Sequence, residues 1–481
     1  MYEKRIKIKI EENMGQIIAA LDLGTSKSIA FVAEKEYSGK LSVLHTETLP
    51  SNQAIRRGRV YNSEGTSDII SKLIRKLNNN LSSPIEKIYV GIGGQSLRTQ
   101  LFRTEKAVEN ETVSRQLLES LKEKAQQYRP ELDENLGVIS CEYYADGQLV
   151  SNPQGTVASN VEARFQLIVG NPCLKGNLEK ILKEKEIVVA SYFISPLATA
   201  EAALTSVEKE RGCALVEWGE GVTYLSIYKN NALQYMATIP LGGLTITKDI
   251  RSLNVSETEA EALKIKYGSA ISDLNNKEEV PVNEELNSPR KIELKDLNWI
   301  IEARVDEIVK NIWNQIRTSG YSQMLDAGIV ITGGGALLRN LPQFIRNQIG
   351  KEVRLAHPTV WINQIETQSS PADSCVVGLA ILGKENCVKE TKSKEREKAG
   401  SLFGSIEQET IQVTKSEIIP KGPELVNPHP RRGLKDKFKD FFDKGANLFK
   451  EEDFENPNKP IREDSTDIQP EDKNSDNPAN K

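Results

Sequence analysis

The chain has 481 residues and a formal net charge of −5, and is 38% hydrophobic and 27% charged. That length predicts two to four domains rather than one core, and the slight acidity argues against bulk nucleic-acid binding. Cys141, Cys173, Cys213, Cys375 and Cys387 include no C-x-x-C pair, and His45, His357 and His429 lie far apart. A disulfide framework, a zinc site and a His-based nucleophile therefore have no support, and the thiols read as reduced and cytosolic. The first residues hold no apolar run long enough for a signal peptide, and no run of 18 apolar residues occurs.

The first informative stretch is Ile17–Val32, read as strand, tight turn and strand. Its turn, Asp22-Leu23-Gly24-Thr25-Ser26-Lys27, combines a glycine that lets backbone approach a ligand with hydroxyls, N–H groups and one cation suited to phosphate oxygens. Asp22, at the strand end, is placed to hold hydrated Mg²⁺. A strand at Leu41–Leu49, a helix at Ser67–Asn80 and a buried strand at Ile88–Ile92 ending in Gly93-Gly94-Gln95 complete an α/β pattern over 15–95. Residues 96–170 change character. A strand at Leu97–Thr104, a helix at Ser114–Tyr128 and strands at Gly137–Tyr144 and Val161–Val169 make a small α+β insertion. A helix at Leu174–Lys185, a strand at Ile187–Phe193 and a helix from Pro196 to Lys209 return to α/β over 171–210.

Cys213–Tyr228 repeats the opening unit 195 residues on. Glu217 stands for Asp22, and Gly219-Glu220-Gly221-Val222-Thr223 forms the turn. Two such hairpins facing each other would clamp a phosphate chain. Ile239-Pro240-Leu241-Gly242-Gly243 ends the next strand. Ser256 and Glu259 cap a helix carrying Glu261 and Lys264, and Asp296–Ser319 is a long amphipathic helix. The third glycine segment, Gly333-Gly334-Gly335, follows a buried strand and would let a flat ring lie on backbone. Ala372–Leu382 is a helix of small residues.

In order and kind these segments resemble the ATPase superfamily of actin, the seventy-kilodalton heat-shock chaperones and the sugar kinases. Residues 20–27 look like phosphate-1, 195–204 like the first connecting helix, 215–223 like phosphate-2, 330–338 like the adenosine loop and 372–382 like the second connecting helix. Within it the chain most resembles the bacterial FtsA family, through Tyr89–Gln95, Asn152-Pro153-Gln154-Gly155, and Ile239–Gly243 followed by Thr247-Lys248-Asp249-Ile250. The resemblance implies an α/β, actin-like (ribonuclease H-like) two-lobed fold: subdomain 1A at 15–95 and 171–210, 1C at 96–170, 2A at 211–250 and 325–371, 2B at 251–324, and a return to 1A at 372–387. It implies ATP and Mg²⁺ as ligands. Asp22, Gly24, Thr25, Ser26, Lys27, Glu217, Gly219, Glu220, Gly221, Thr223, Gly242, Gly243, Glu261, Lys264, Gly333, Gly334 and Gly335 would line the nucleotide, with Asp22 and Glu217 toward the metal. Phosphate-2 departs from the family's Asp-x-Gly-x-Gly-Thr. Glu217 replaces Asp, Glu220 adds charge, Val222 takes the Thr place and Thr223 follows one residue late. The first connecting segment begins Ser195-Pro196, where hydrolytic relatives carry a carboxylate or amide that orients water. Turnover should therefore be slow at most.

Residues 388–432 read as a disordered linker. Next, 433–450 holds four of the eleven Phe. At 100° per residue, Leu434, Phe438, Phe441, Phe442, Leu448 and Phe449 fall within roughly a 120° arc. Lys435, Lys437 and Lys444 flank it, and Asp436, Asp440 and Asp443 lie opposite. Large aromatics edged by Lys are the pattern of a helix lying in an anionic membrane interface; the alternative reading is a helix docked on its own folded body or on a partner protein. Residues 451–481 form an acidic tail, with ten Asp or Glu against four Lys or Arg. The family resemblance adds FtsZ, copies of the chain itself and later division proteins as partners, at the septum, on the inner face of the cytoplasmic membrane. Rival readings are a pilus-assembly actin homologue, which has no need of the 433–450 helix; a chaperone, which needs a β-rich domain after 390; and a small-molecule kinase, which needs a second substrate site.

Overall fold

In the computed structural model, which describes residues 15–283, 290–358 and 370–388, the chain builds two lobes on one plan. β1 (Gln16–Leu23) turns back on β2 (Lys27–Lys35), and β3 (Leu41–Pro50) extends the meander. A ribbon of β4 (Ile55–Arg56) and β5 (Arg59–Val60) leads to helix α1 (Ser63–Asn79) and then β6 (Lys87–Ile92). The helix begins four residues before its expected start because Asn62 caps it, accepting a hydrogen bond from the Gly65 N–H.

The insertion comprises β7 (Arg98–Thr112), α2 (Arg115–Gln127), β8 (Glu134–Ala145), β9 (Gln148–Val150) and β10 (Val157–Gly170), with strand order β7-β10-β8-β9. Alternate residues of β10 (Val161, Ala163, Phe165 and Leu167) share one buried cluster with Leu117, Leu121 and Ala125 of α2. β7 runs eight residues past its expected end at Thr104, because β10 pairs with it from Val169–Arg98 to Val157–Thr112. The chain then forms α3 (Cys173–Glu184), β11 (Val188–Ile194), α4 (Ser195–Ala203) and α5 (Ser206–Arg211). The single helix expected over 196–209 is thus two. Leu204 is extended, and Thr205 with Glu208 closes a capping box that starts the second.

The second lobe follows with β12 (Cys213–Trp218), β13 (Thr223–Lys229), β14 (Ala232–Ile239), α6 (Gly243–Ile250) and α7 (Glu257–Tyr267). After these come β15 (Glu279–Pro281), β16 (Lys291–Glu293), α8 (Leu294–Thr318), β17 (Ile329–Thr332), α9 (Leu341–Ile349) and β18 (Val353–Leu355). The main sheets run β11-β6-β1-β2-β3 and β14-β13-β12-β17-β18. Each central strand, β1 or β12, has its antiparallel hairpin partner on one side and a parallel strand on the other. Residues 18–21 and 213–216 are consequently buried almost completely. The sequence repeat is a repeat of topology. Among the described residues no helix is long and apolar enough to cross a membrane. The 433–450 helix and the acidic tail lie outside those residues, as does the linker from 389 on.

α10 (Ser374–Leu382) returns to the first lobe and lies against α4. A Cβ on Gly378 would stand 1.8 Å from the Ala198 carbonyl oxygen. Gly378→Ala should therefore force these helices apart and cost about 1–3 kcal/mol or more. Urea denaturation of the purified chain measures this; unchanged stability would show that the crossing tolerates a methyl group.

Candidate functional site

β1 and β12 end in the same turn. The Gly24 N–H donates to the Lys27 carbonyl at 3.1 Å, and the Gly219 N–H donates to the Val222 carbonyl at 3.0 Å. A Cβ on either glycine would fall 2.7 or 2.8 Å from that carbonyl oxygen, so only glycine fits. Residue for residue, Asp22 corresponds to Glu217, Thr25 to Glu220, Lys27 to Val222 and Ser28 to Thr223. The turns face each other closely, since a Cβ on Gly221 would lie 2.6 Å from Thr25 Oγ1.

This correspondence corrects two expectations. Thr223 opens β13 opposite Trp218, fully buried, and its hydroxyl donates to the Leu241 carbonyl at 2.8 Å. It does not line the cleft; neither does its counterpart Ser28, which bonds to Ser51. Gly242 also stands behind the cleft. The carbonyls of Gly219 and Glu220 fill the space a Cβ there would need, and they accept the Gly243 and Leu244 N–H groups at the start of α6. The other fifteen candidates, from Asp22 to Gly335, line one cavity of about 400 Å³, within the range of small-ligand sites. It opens between the C-terminal ends of the central strands, where α/β sheets receive ligands.

The floor is acidic. Asp22 and Glu217 are partly exposed, and both line the cavity. Burial raises the Asp22 carboxyl, against the thiol of Cys375, which donates to Asp22 Oδ1 at 3.4 Å, and against the charge of Lys27. Burial and then the Asp22 charge push Glu217 up to about 8. The Thr199 hydroxyl opposes that shift, yet neither Thr199 Oγ1 nor Glu217 Oε2 has a partner at hydrogen-bond geometry. Glu220 is raised by burial and by Glu261, with Lys264 opposing.

The cations lining the cavity are Lys27, Lys264 and Arg339, and each is engaged. Lys27 pairs with Asp373 at 3.2 Å. Lys264 Nζ donates to the Gly243 carbonyl at 3.0 Å, to Thr247 Oγ1 at 2.8 Å and to Glu261 Oε2 at 2.6 Å. Arg339 donates to the Lys266 carbonyl. An orphaned carboxylate oxygen beside a second carboxylate fits a hard divalent cation, directly or through water. Asp22 and Glu217 would hold it there.

Gly333, Gly334 and Gly335 follow β17 at the other end, joined by Leu337, Leu338 and the exposed Ile265. Gly333 has φ +89°, and its Cβ position is taken by the Trp218 backbone. That of Gly335 is taken by the Trp218 ring, at 2.2 Å. These two glycines seat Trp218, while Gly334 has 3.7 Å of clearance from Ala372 and leaves flat backbone toward the cavity. Sequence reasoning missed Tyr224, Cys375 and Asp373. No local motif marks them, and they reach the site only through the fold.

A family model described as "Cell division protein FtsA" matches residues 214–378, and one described as "SHS2 domain inserted in FTSA" matches 94–169. The chain is 30% identical over 384 residues to the cell division protein FtsA of Porphyromonas gingivalis, covering 78% of this chain and 80% of that protein. It is 26% identical to the FtsA of Escherichia coli K12, covering 77% and 91%. Among solved structures, a PilM-PilN type IV pilus biogenesis complex shares the fold, with a TM-score of 0.53, 14% identity, and coverage of 76% of this chain and 97% of that one.

Glu217 also makes stability depend on pH. Unfolded, it ionises near 4.5; folded, near 8. Between those values the native state keeps a proton that the unfolded state loses, so this contribution to stability falls as pH rises from about 5 to 8. Glu217→Gln should be more stable than the parent at pH 8, with the gap closing toward pH 5. Urea titrations at both pH values test it, and an equal gap at both would show that Glu217 does not titrate in this range.

Proposed function

The chain belongs to the FtsA family of cell-division proteins, and from that premise we propose that it binds ATP with Mg²⁺ and ties FtsZ filaments to the inner face of the cytoplasmic membrane. The observation that carries the nucleotide part is the pair of matched glycine turns, each with a carboxylate at the end of the preceding strand, facing across one cleft. Phosphates meet the first turn's N–H groups, Thr25, Ser26 and Lys27. Asp22 and Glu217 face the metal. The sugar meets Glu261 and Lys264, and the base lies on Gly334 between Ile265 and Leu337.

Hydrolysis is slow in this reading. Ser195 lines the cavity at the place of a water-orienting carboxylate or amide, and a short hydroxyl positions water poorly. The nucleotide therefore serves an assembly switch rather than rapid turnover. The membrane part rests on the 433–450 sequence. Each Phe or Leu buried there contributes up to ~1.5–3 kcal/mol and each Lys about 1 kcal/mol near anionic lipid, giving reversible peripheral attachment. FtsZ docking through 251–324, self-association through 1A and 1C, and later division proteins at 1C complete the proposal.

Asp22→Ala should abolish Mg-ATP binding in isothermal titration calorimetry; intact affinity would remove Asp22 from the site. A chain ending at residue 430 should stop co-sedimenting with anionic liposomes, whereas unchanged sedimentation would end the tether reading.

A further inference from the structure

Lys27 is the one cation on the two glycine turns, because its counterpart in the second is Val222. Its ammonium lies 3.2 Å from Asp373 Oδ1, across 346 residues of sequence. Asp373 is fixed from behind. Its Oδ2 accepts the Ser370 N–H at 3.0 Å, completing a capping box just before α10. The carboxylate is therefore held by backbone, while Lys27 reaches it on a flexible stem. Both charges act on Asp22, Lys27 favouring its ionised form and Asp373 its neutral form. Cys375, two residues beyond Asp373, donates to Asp22 Oδ1 at 3.4 Å, and Lys27 lines the cavity beside Asp22, so the pair stands at the carboxylate end of the cavity. Lys264 and Arg339 are engaged elsewhere, so no other lining cation is ready to replace Lys27.

We infer that Asp373 is a positioning residue that holds Lys27 away from the phosphate chain until a bound nucleotide takes it over. The inference rests on the nucleotide reading above and adds a competitor to it. Phosphate oxygens and the Asp373 carboxylate present the same chemistry to one ammonium, so phosphate capture breaks the tie between the first turn and the start of α10. The same ion pair lowers affinity for phosphate in the empty site and is broken in the filled one.

Calorimetric titration of the full chain with Mg-ATP and with adenosine tests this. The pair is about one-third exposed, so the competition is modest. Asp373→Asn should bind Mg-ATP about two- to fivefold more tightly, with adenosine affinity unchanged because adenosine carries no phosphate. The Asn side-chain oxygen still accepts the Ser370 N–H, which preserves the cap. Asp373→Glu should return affinity toward the parent value. In a Lys27→Gln background, Asp373→Asn should bring little or no gain. Three results would overturn the inference: an Asp373→Asn affinity equal to or below the parent's, an equal gain for adenosine, or a full gain without Lys27, which would mark direct repulsion. A parent chain that binds no Mg-ATP would overturn the nucleotide reading and this inference with it.

Discussion

The carbonyl that closes each glycine turn occupies the place of a Cβ, and the rest of the site depends on that constraint. Because Gly24 and Gly219 tuck against Lys27 and Val222, each hairpin reverses within four residues. A looser reversal would carry the turns away from each other and open the cleft. The strands that lead into the turns cannot slip. β1 and β12 are each hydrogen-bonded on both sides and wholly buried through their middle residues. A one-residue shift would turn those apolar side chains the wrong way. Asp22 and Glu217 are thereby pinned side by side on the floor.

Duplicate geometry carries unequal chemistry. The first turn offers Thr25, Ser26 and Lys27; the second offers Glu220, Gly221 and Val222 at the same positions. One jaw supplies hydroxyls and a cation, and the other supplies backbone and a carboxylate. With Asp22, Glu217, Glu220 and Glu261 around it and every lining cation internally engaged, an anionic ligand would need a cation beside it here. Raised proton affinity at Asp22, Glu217 and Glu220 has the same origin. Acidic groups crowded into low dielectric favour protons or metal over bare charge.

The two-lobed plan was legible because its signals are local: apolar runs ending in Asp-x-Gly or Glu-x-Gly, repeated 195 residues apart, and an insertion of changed composition. The single helix over 196–209 failed because a Thr205–Glu208 capping box outweighs continued helical periodicity. Thr223 lies outside the cavity because strand register, not chain proximity, decides which side chain faces the cleft. Gly333 and Gly335 were legible as required glycines, but their reason was not, since Trp218 lies more than a hundred residues earlier and meets them only in the folded sheet. Asp373 was invisible for the same reason. A carboxylate on one connecting segment and a lysine on a distant turn carry no mark of their meeting.

The same register that removes Thr223 from the cleft places Tyr224 opposite Glu217 in the β12–β13 pair. The Tyr224 hydroxyl is buried, and it accepts the Gly94 N–H at 2.6 Å, bridging the second lobe to the loop after β6. Nearby, the Thr238 hydroxyl donates to the Leu97 carbonyl at 2.7 Å, and the Met236 N–H donates to Thr99 Oγ1 at 3.0 Å. Parting the lobes on this side would leave a buried amide and a buried hydroxyl unpaired, which costs about 1–3 kcal/mol for each group. The lobes are tied elsewhere as well: the buried Thr332 and Ser374 hydroxyls lie 2.8 Å apart, and Arg354 donates to Glu208 at 2.8 Å and to the Ala203 carbonyl at 2.8 Å. The insertion, rooted at residues 94–99, is thereby joined to β13 and β14 by hydrogen bonds rather than by loose surface contact alone.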